Sequence, residues 1–201
     1  MPNSPEPSDS ASAPVRRPPL VNVANGLTVL RIVLVPVFVI FMIASQFTSP
    51  GYRIAAAVAF GAASLTDFVD GWIARAFNLV TSFGKVADPI ADKALTGTAL
   101  VLLSAYQVLP WWVTVVVLVR ELGVTALRFW VIRHGVLAAS RGGKVKTALQ
   151  ILAITWYILP FTGVLAAIGP WLMAAAVGVT VVTGLDYVIR ALRLRQLAGK
   201  G

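Results

Sequence analysis

Apolar residues form six long runs along the chain, separated by short polar or Pro- and Gly-containing stretches. Each run is close to the ~20 residues that an α-helix needs to cross the hydrocarbon core of a bilayer. The runs cover residues 27–46, 54–76, 86–106, 111–133, 146–166 and 169–190. Pro36 and Pro160 fall inside runs, which membrane helices tolerate where neighbouring groups satisfy the freed carbonyls. The pattern predicts an all-α integral membrane protein with six transmembrane helices.

The composition agrees with a membrane protein and excludes two kinds of site. Hydrophobic residues make up 58% of the 201 residues, which is typical of a chain that crosses a bilayer several times. No cysteine is present, which excludes a disulfide framework and a thiolate metal site. The net charge of +9 more often marks cytoplasmic loops and lipid head groups than nucleic-acid binding in such a protein. We therefore expect membrane lipids, and no nucleic acid, as partners.

The charge pattern of the loops predicts the orientation in the membrane. Basic residues concentrate around the loops after the second and fourth runs and at the C-terminus, and they are Arg75, Lys85, Arg133, Arg141, Lys144, Lys146, Arg190, Arg193, Arg195 and Lys200. The loops around 106–110 and 161–167 carry no charge, and only Arg53 lies on their side. Because basic loops stay inside, both termini are predicted in the cytoplasm, with the protein in the plasma or inner cell membrane. Residues 1–19, rich in Pro and Ser, are predicted to be a disordered cytoplasmic tail before a six-helix domain at 20–201.

Four of the eight acidic residues lie between positions 67 and 92. They are Asp67, Asp70, Asp88 and Asp92. Each pair is three or four residues apart and so shares one helix face, and a turn near residues 79–80 would bring the two pairs together. An Asp in a membrane span costs roughly 2.5–3.5 kcal/mol, and clustered carboxylates repel one another unless cations neutralise them. Hard oxygen ligands suit Mg²⁺ or Mn²⁺, so the stretch predicts a divalent metal site that opens toward the cytoplasm.

As a pattern, the stretch reads D-x-x-D-G-x-x-A-R, eight further residues, then G-x-x-x-D-x-x-x-D. It resembles the signature of the CDP-alcohol phosphotransferase family at every defined position, and six spans are also the family's architecture. The resemblance implies a homodimeric enzyme that transfers the phosphatidyl group of CDP-diacylglycerol to an alcohol. By resemblance, Asp92 deprotonates the alcohol, while Asp67, Asp70 and Asp88 are the main metal ligands.

The family resemblance also implies how the donor is bound. Two-metal sites recur in displacements at phosphorus, so two ions are expected. Small side chains let a nucleotide approach the helix backbone, and an Arg guanidinium can bind phosphate. The residues expected to bind CDP-diacylglycerol are Asn25, Thr28, Asp67, Asp70, Gly71, Ala74, Arg75 and Gly84.

Three further strings bear on the acceptor alcohol. NVANGLTVLR, DPIADK and the pair VREL…ALR with GKVKT resemble the branch of the family that makes phosphatidylglycerophosphate. An anionic acceptor such as sn-glycerol 3-phosphate needs cations. The expected cations are Arg120, Arg128, Lys144 and Lys146. Two other branches stay open, the cardiolipin synthases and the phosphatidylinositol phosphate synthases.

Structural roles compete with several of these assignments. Arg120 could form an internal ion pair with Glu121, and Arg128 and Lys144 could extend to lipid head groups. Asn25 could cap the first helix.

The acidic stretch also has alternatives. Its carboxylates could pair structurally with Arg75, Lys85 or Lys93. A cation transporter also carries membrane carboxylates, but the acidic stretch has no counterpart in the later runs, as an internal repeat would give.

Overall fold

The computed structural model describes residues 23–76, 82–131 and 141–198, and these residues are helical apart from short turns, with no strand among them. The helices are α1 Val23–Ser45, α2 Pro50–Ala76, α3 Ser82–Ala105, α4 Trp111–Val131, α5 Arg141–Ile158 and α6 Gly163–Ala198. The all-α prediction is confirmed for this part of the chain. The predicted tail at 1–19 lies outside the described residues.

Three helices of the described ranges contain a stretch long and apolar enough to cross a membrane. These stretches are Gly26–Ser45, Pro50–Asp70 and Gly163–Leu192. The helices α3, α4 and α5 are less apolar because each carries several charged residues in one half. The outer surface of the bundle exposes many large apolar side chains, such as Val58 and Trp171, and an apolar surface of this extent fits a lipid environment.

The apolar core contains buried side chains from all six helices. Phe38 of α1 packs against Phe60 of α2 with ring centroids 5.5 Å apart. Small buried residues of α2, such as Ala56 and Ala63, let α1 approach closely. Leu100, with other buried side chains of α3, α4, α5 and α6, completes this core. Within it, α1 contacts both α2 and α3, and α2 also contacts α3 and α5.

The turns after α1, α3 and α5 lie together at one end of the bundle. The hydroxyl of Tyr106 donates to the carbonyl of Met42 at 3.2 Å, and its ring lies 5.7 Å from that of Phe47. Arg53 donates to three backbone carbonyls at the end of α5, at 2.8–3.2 Å. The same guanidinium lies 4.0 Å from the centroid of the Phe47 ring. Because neighbouring helices alternate in direction, the acidic residues of α2 and α3 lie toward the opposite end.

The boundary between the last two helices differs from the prediction. The turn lies at residues 159–162 instead of near 167, since α5 ends at Ile158 and α6 begins at Gly163. Pro160, predicted inside a span, lies in this turn, whereas Pro170 lies inside α6. Gly163 has φ +59°, which glycine adopts without a Cβ clash. No charged residue stands between Lys146 and Asp186, so the hydropathy pattern did not indicate where the turn lies.

Candidate active site

A buried arginine joins the two acidic residues of α2. The Nη1 atom of Arg31 lies 2.6 Å from Oδ1 of Asp67, and its Nη2 donates to Oδ2 of Asp70. The Arg31 and Asp70 side chains are 0% and 3% exposed, whereas Asp67 is 37% exposed. A buried charge requires a partner of opposite sign. Arg31 therefore compensates part of the negative charge of the acidic stretch.

The helical spacing of α1 and α2 explains this contact. Thr28, which is 1% exposed, lies three residues before Arg31, so both side chains project from the same face of α1. Phe38 and Met42 continue that face into the core. Asp67 and Asp70 share the matching face of α2, as their spacing predicts.

A second part of the site is a cavity of about 70 Å³ between α3, α4 and α5. Its charged lining residues are Asp92, Lys93, Glu121 and Lys146. The half-buried Asp92 carboxyl lies within electrostatic range of Asp67 as well as of the other charged lining residues. The cavity wall at Asp92 therefore lies within interaction range of Asp67 on α2.

An ion-pair cluster around Glu121 of α4 fixes the positions of two predicted acceptor-binding cations, Arg120 and Lys146. The Nζ of Lys146, a side chain 8% exposed, donates to Oε1 of Glu121, and Nη1 of Arg120 lies 3.2 Å from the same oxygen. Arg120 otherwise extends to α6, where it donates to the carbonyl of Thr180 at 3.1 Å and to the hydroxyl of Thr183 at 2.9 Å. Lys146 thus lines the cavity, whereas Arg120 forms the internal pair with Glu121 that the sequence left open and is not among the lining residues.

The family model described as CDP-alcohol phosphatidyltransferase matches residues 21–182. The chain belongs to this family. The match begins just before α1 and extends into α6, so it includes Arg31, the acidic stretch and the whole cavity lining. The resemblance drawn from residues 67–92 is confirmed.

Several curated proteins are similar in sequence to this chain over most of its length. A Mycobacterium tuberculosis H37Rv protein named probable phosphatidylglycerophosphate synthase is 50% identical over 174 residues, which are 87% of this chain and 83% of the relative. A Bacillus subtilis protein named CDP-diacylglycerol–glycerol-3-phosphate 3-phosphatidyltransferase is 39% identical over 181 residues, 84% of this chain and 94% of the relative. An Escherichia coli K12 protein with that name is 38% identical over 143 residues, 68% of this chain and 76% of the relative.

The predicted site residues of this CDP-alcohol phosphatidyltransferase fall into four groups. Thr28, Asp67 and Asp70 lie on the faces of α1 and α2 that meet at Arg31, and Asp92 and Lys146 share the cavity. Arg120 and the exposed Lys144 do not line it. The remaining predicted residues have side chains outside the described part of the structure, and they are Asn25, Gly71, Ala74, Arg75, Gly84, Asp88 and Arg128.

The described side chains fit a divalent cation by their chemistry. Asp67 and Asp70 already attract one buried cation, the Arg31 guanidinium. A carboxylate has about four lone-pair sites, so a contact with Arg31 is compatible with a metal contact. Among the described side chains no three acidic, His or Cys residues form a group that could hold an ion. Asp88 is not one of those side chains.

Two polar residues of the site, Arg31 and Gln150, received no role from the sequence, and Glu121 was considered only as an ion-pair partner of Arg120. Arg31 and Gln150 each stand among apolar residues, whereas Glu121 adjoins Arg120. A charged or amide side chain in a membrane helix needs an internal partner. This requirement could have predicted that these residues have a role inside the bundle, although it does not identify their partners.

Proposed function

We propose that this protein transfers the phosphatidyl group of CDP-diacylglycerol to sn-glycerol 3-phosphate, giving phosphatidylglycerophosphate and CMP. The B. subtilis and E. coli relatives carry the name of this transferase. The observation that carries the proposal is the cavity of α3, α4 and α5, because it has a carboxylate, Asp92, and a buried cation, Lys146, on its walls. These are the two groups that an alcohol bearing a phosphate requires, a base for its hydroxyl and a partner for its anion.

The donor would lie with its acyl chains in the bilayer and its CDP group at the acidic stretch. Two Mg²⁺ or Mn²⁺ ions, held by Asp67, Asp70, Asp88 and Asp92, would neutralise the diphosphate and the departing CMP. Arg31 holds Asp67 and Asp70 in place between α1 and α2. The CDP group itself would contact Asn25, Thr28, Gly71, Ala74, Arg75 and Gly84.

The acceptor would enter the cavity with its phosphate at Lys146 and its C1 hydroxyl at Asp92. Asp92 takes the proton of this hydroxyl, and the oxygen bonds to the phosphorus attached to diacylglycerol. The bond between that phosphorus and the CMP oxygen breaks, and CMP leaves. Glu121 fixes the Lys146 ammonium at the cavity wall, and Arg120 in turn holds Glu121. Arg128 and Lys144 would attract the acceptor at the cytoplasmic side.

This chemistry requires a site that meets both the bilayer and the cytoplasm. We propose six membrane spans, cytoplasmic termini with a cytoplasmic tail at 1–19, and a homodimer in the plasma or inner cell membrane. The uncharged turns after α3 and α5 and the basic loops at the other end support this orientation. A water-soluble acceptor would then reach a membrane-bound donor from the cytoplasm.

The direct test is CMP release by the purified protein from CDP-diacylglycerol and sn-glycerol 3-phosphate with Mg²⁺ or Mn²⁺. We expect Asp92→Asn to lower kcat by at least about 100-fold, because general base catalysis typically contributes that much or more. A chelator should stop the reaction, and added metal should restore it. Asp186→Asn is the matched control, because Asp186 is half-exposed on α6 and pairs with Arg190.

Two outcomes would overturn different parts of the proposal. CMP release that persists in Asp92→Asn or in chelator would refute the mechanism. Release with phosphatidylglycerol or inositol phosphate, but not with sn-glycerol 3-phosphate, would refute the acceptor and leave the phosphatidyl transfer intact.

A further inference from the structure

Gln150 is a buried amide on the wall of the cavity. Its side chain is 3% exposed, and neither Oε1 nor Nε2 has a hydrogen-bond partner among the described residues. Neighbouring polar groups of α5 are satisfied, since Thr147 donates to the carbonyl of Gly143 and Thr155 to that of Ile151. Buried amides in native proteins are almost always hydrogen-bonded, because leaving them unpaired is costly. The cavity is the place where Gln150 can gain partners.

The position of Gln150 relates it to the two groups assigned to the acceptor. Gln150 follows Lys146 by four residues on the same face of α5, about 6 Å further along the helix axis. Asp92 lies on the wall formed by α3. A cavity of about 70 Å³ has room for several water molecules, and so for part of a small polar molecule. A cation, a neutral amide and a carboxylate therefore line one small space.

The chemistry of an amide indicates what it binds. Gln150 offers two N–H donors and a carbonyl acceptor. A phosphate oxygen can only accept, so it would leave the carbonyl oxygen unpaired, whereas a hydroxyl can donate to one amide atom and accept from the other. sn-Glycerol 3-phosphate carries a hydroxyl at C2, between the phosphate and the C1 hydroxyl.

We propose that Gln150 binds the C2 hydroxyl of the acceptor and is a specificity-determining residue of the transferase. This inference rests on the proposed function. With the phosphate at Lys146 and C2 at Gln150, the C1 hydroxyl is oriented toward Asp92. A site that hydrogen-bonds a substrate hydroxyl rejects the analogue without it, because its own buried polar group then stays unpaired.

The test compares two acceptors, sn-glycerol 3-phosphate and 3-hydroxypropyl phosphate, which lacks only the C2 hydroxyl. We expect the wild type to prefer the natural acceptor by at least about tenfold in kcat/KM. Gln150→Met keeps the side-chain length but removes both polar atoms, and should reduce the preference to within about threefold. In this variant kcat/KM should fall for the natural acceptor and rise for 3-hydroxypropyl phosphate, because no buried amide is then left unpaired by the analogue. Gln150→Asn, which keeps the amide, should retain an intermediate preference.

Thr155→Val is the matched control, a polar-to-apolar change on α5 at a residue that does not line the cavity. It should keep the wild-type preference. Thermal unfolding separates a binding role from a structural one, because removing an unpaired buried amide should leave the midpoint equal or higher. A lower midpoint in Gln150→Met, or a wild-type preference in that variant, would overturn the inference alone. A wild type that releases no CMP with either acceptor would overturn the proposed function, and the inference with it.

Discussion

Arg31 shows how a single residue can determine the electrostatics of the site. Its guanidinium is fully buried and contacts two carboxylates across the interface between α1 and α2. Removing one partner of a buried ion pair typically costs about 3–5 kcal/mol, because the remaining charge stays uncompensated. In this site a divalent ion is the other proposed source of compensation. Arg31 and metal should therefore substitute for each other in stabilising the protein.

We predict that Arg31→Met lowers the free energy of unfolding in chelator by about 3–5 kcal/mol and that Mg²⁺ or Mn²⁺ restores more stability to the variant than to the wild type. The measurement is the thermal unfolding midpoint in detergent micelles over a metal titration, since a ligand stabilises the state that binds it. Arg190→Met is the control, because its exposed pair with Asp186 contributes little. If metal raised the unfolding midpoint equally in Arg31→Met and in the wild type, the idea that Arg31 and metal substitute for each other would be refuted.

The partner of these carboxylates could not be predicted from sequence, although their shared face could. Spacing alone puts Asp67 and Asp70 on one side of a helix. Their actual partner precedes Asp70 by 39 positions, and it is brought there by the packing of α1 on α2. Closer basic residues, such as Lys93, were equally good partners by charge. A sequence identifies a buried charge that needs compensation, but only tertiary packing chooses the compensating group.

At the scale of elements, α6 acts on the cavity through α4. Arg120 crosses α6 at Gly184, where an added Cβ would lie 3.1 Å from its Cγ and 3.4 Å from its Nε. Arg120 has little freedom to move aside, because it bonds Thr180 and Thr183 and pairs with Glu121. Small residues allow this kind of close helix approach in membranes. The missing side chain at Gly184 therefore leaves room for Arg120 in the position where it pairs with Glu121, which in turn pairs with Lys146.

We expect Gly184→Ala to destabilise the protein by about 1–3 kcal/mol, the usual cost of overpacking a close contact, and to raise KM for sn-glycerol 3-phosphate. Gly178→Ala is the matched control in the same helix, since an added Cβ there meets nothing within 4 Å. Thermal unfolding and acceptor titrations of the two variants make the comparison. Identical midpoints and identical KM values would show that Arg120 adjusts freely and that α6 does not act on the cavity.

The predictability of the helices follows from their flanking residues. α1 to α4 agree with their predicted runs within about five residues because Pro, polar or charged residues stand at their ends. The turn between α5 and α6 was misplaced because the apolar sequence continues through it. Pro160 was predicted to lie inside a span, but it lies in the turn before α6. A proline in an apolar run fits either position, and neighbouring helices decide between them.

At the scale of the whole molecule, the two ends of the bundle differ in how their charges are used. At one end Arg53 is occupied within the protein, donating to carbonyls at the end of α5 and lying over the Phe47 ring. At the other end Asp67, Asp92 and Lys146 surround the proposed substrate sites. This separation agrees with an enzyme whose soluble substrate arrives from one side only.

The number of spans can be tested directly because the chain has no cysteine. Single variants Ser10→Cys and Gly201→Cys report on the termini, and Thr48→Cys and Thr162→Cys report on the turns after α1 and α5. With six spans, a membrane-impermeant maleimide added to intact cells should label both turns and neither terminus, and permeabilisation should expose the termini.

A three-span arrangement predicts a different labelling pattern. If only α1, α2 and α6 crossed, the termini would lie on opposite sides, and Thr162→Cys would share a side with Ser10→Cys. The contact of Arg53 with the end of α5 favours six spans, because it holds the turn after α5 at the same end as the turn after α1. Labelling of Thr48→Cys without Thr162→Cys in intact cells would contradict this arrangement and would require α3, α4 and α5 to remain on one side of the membrane.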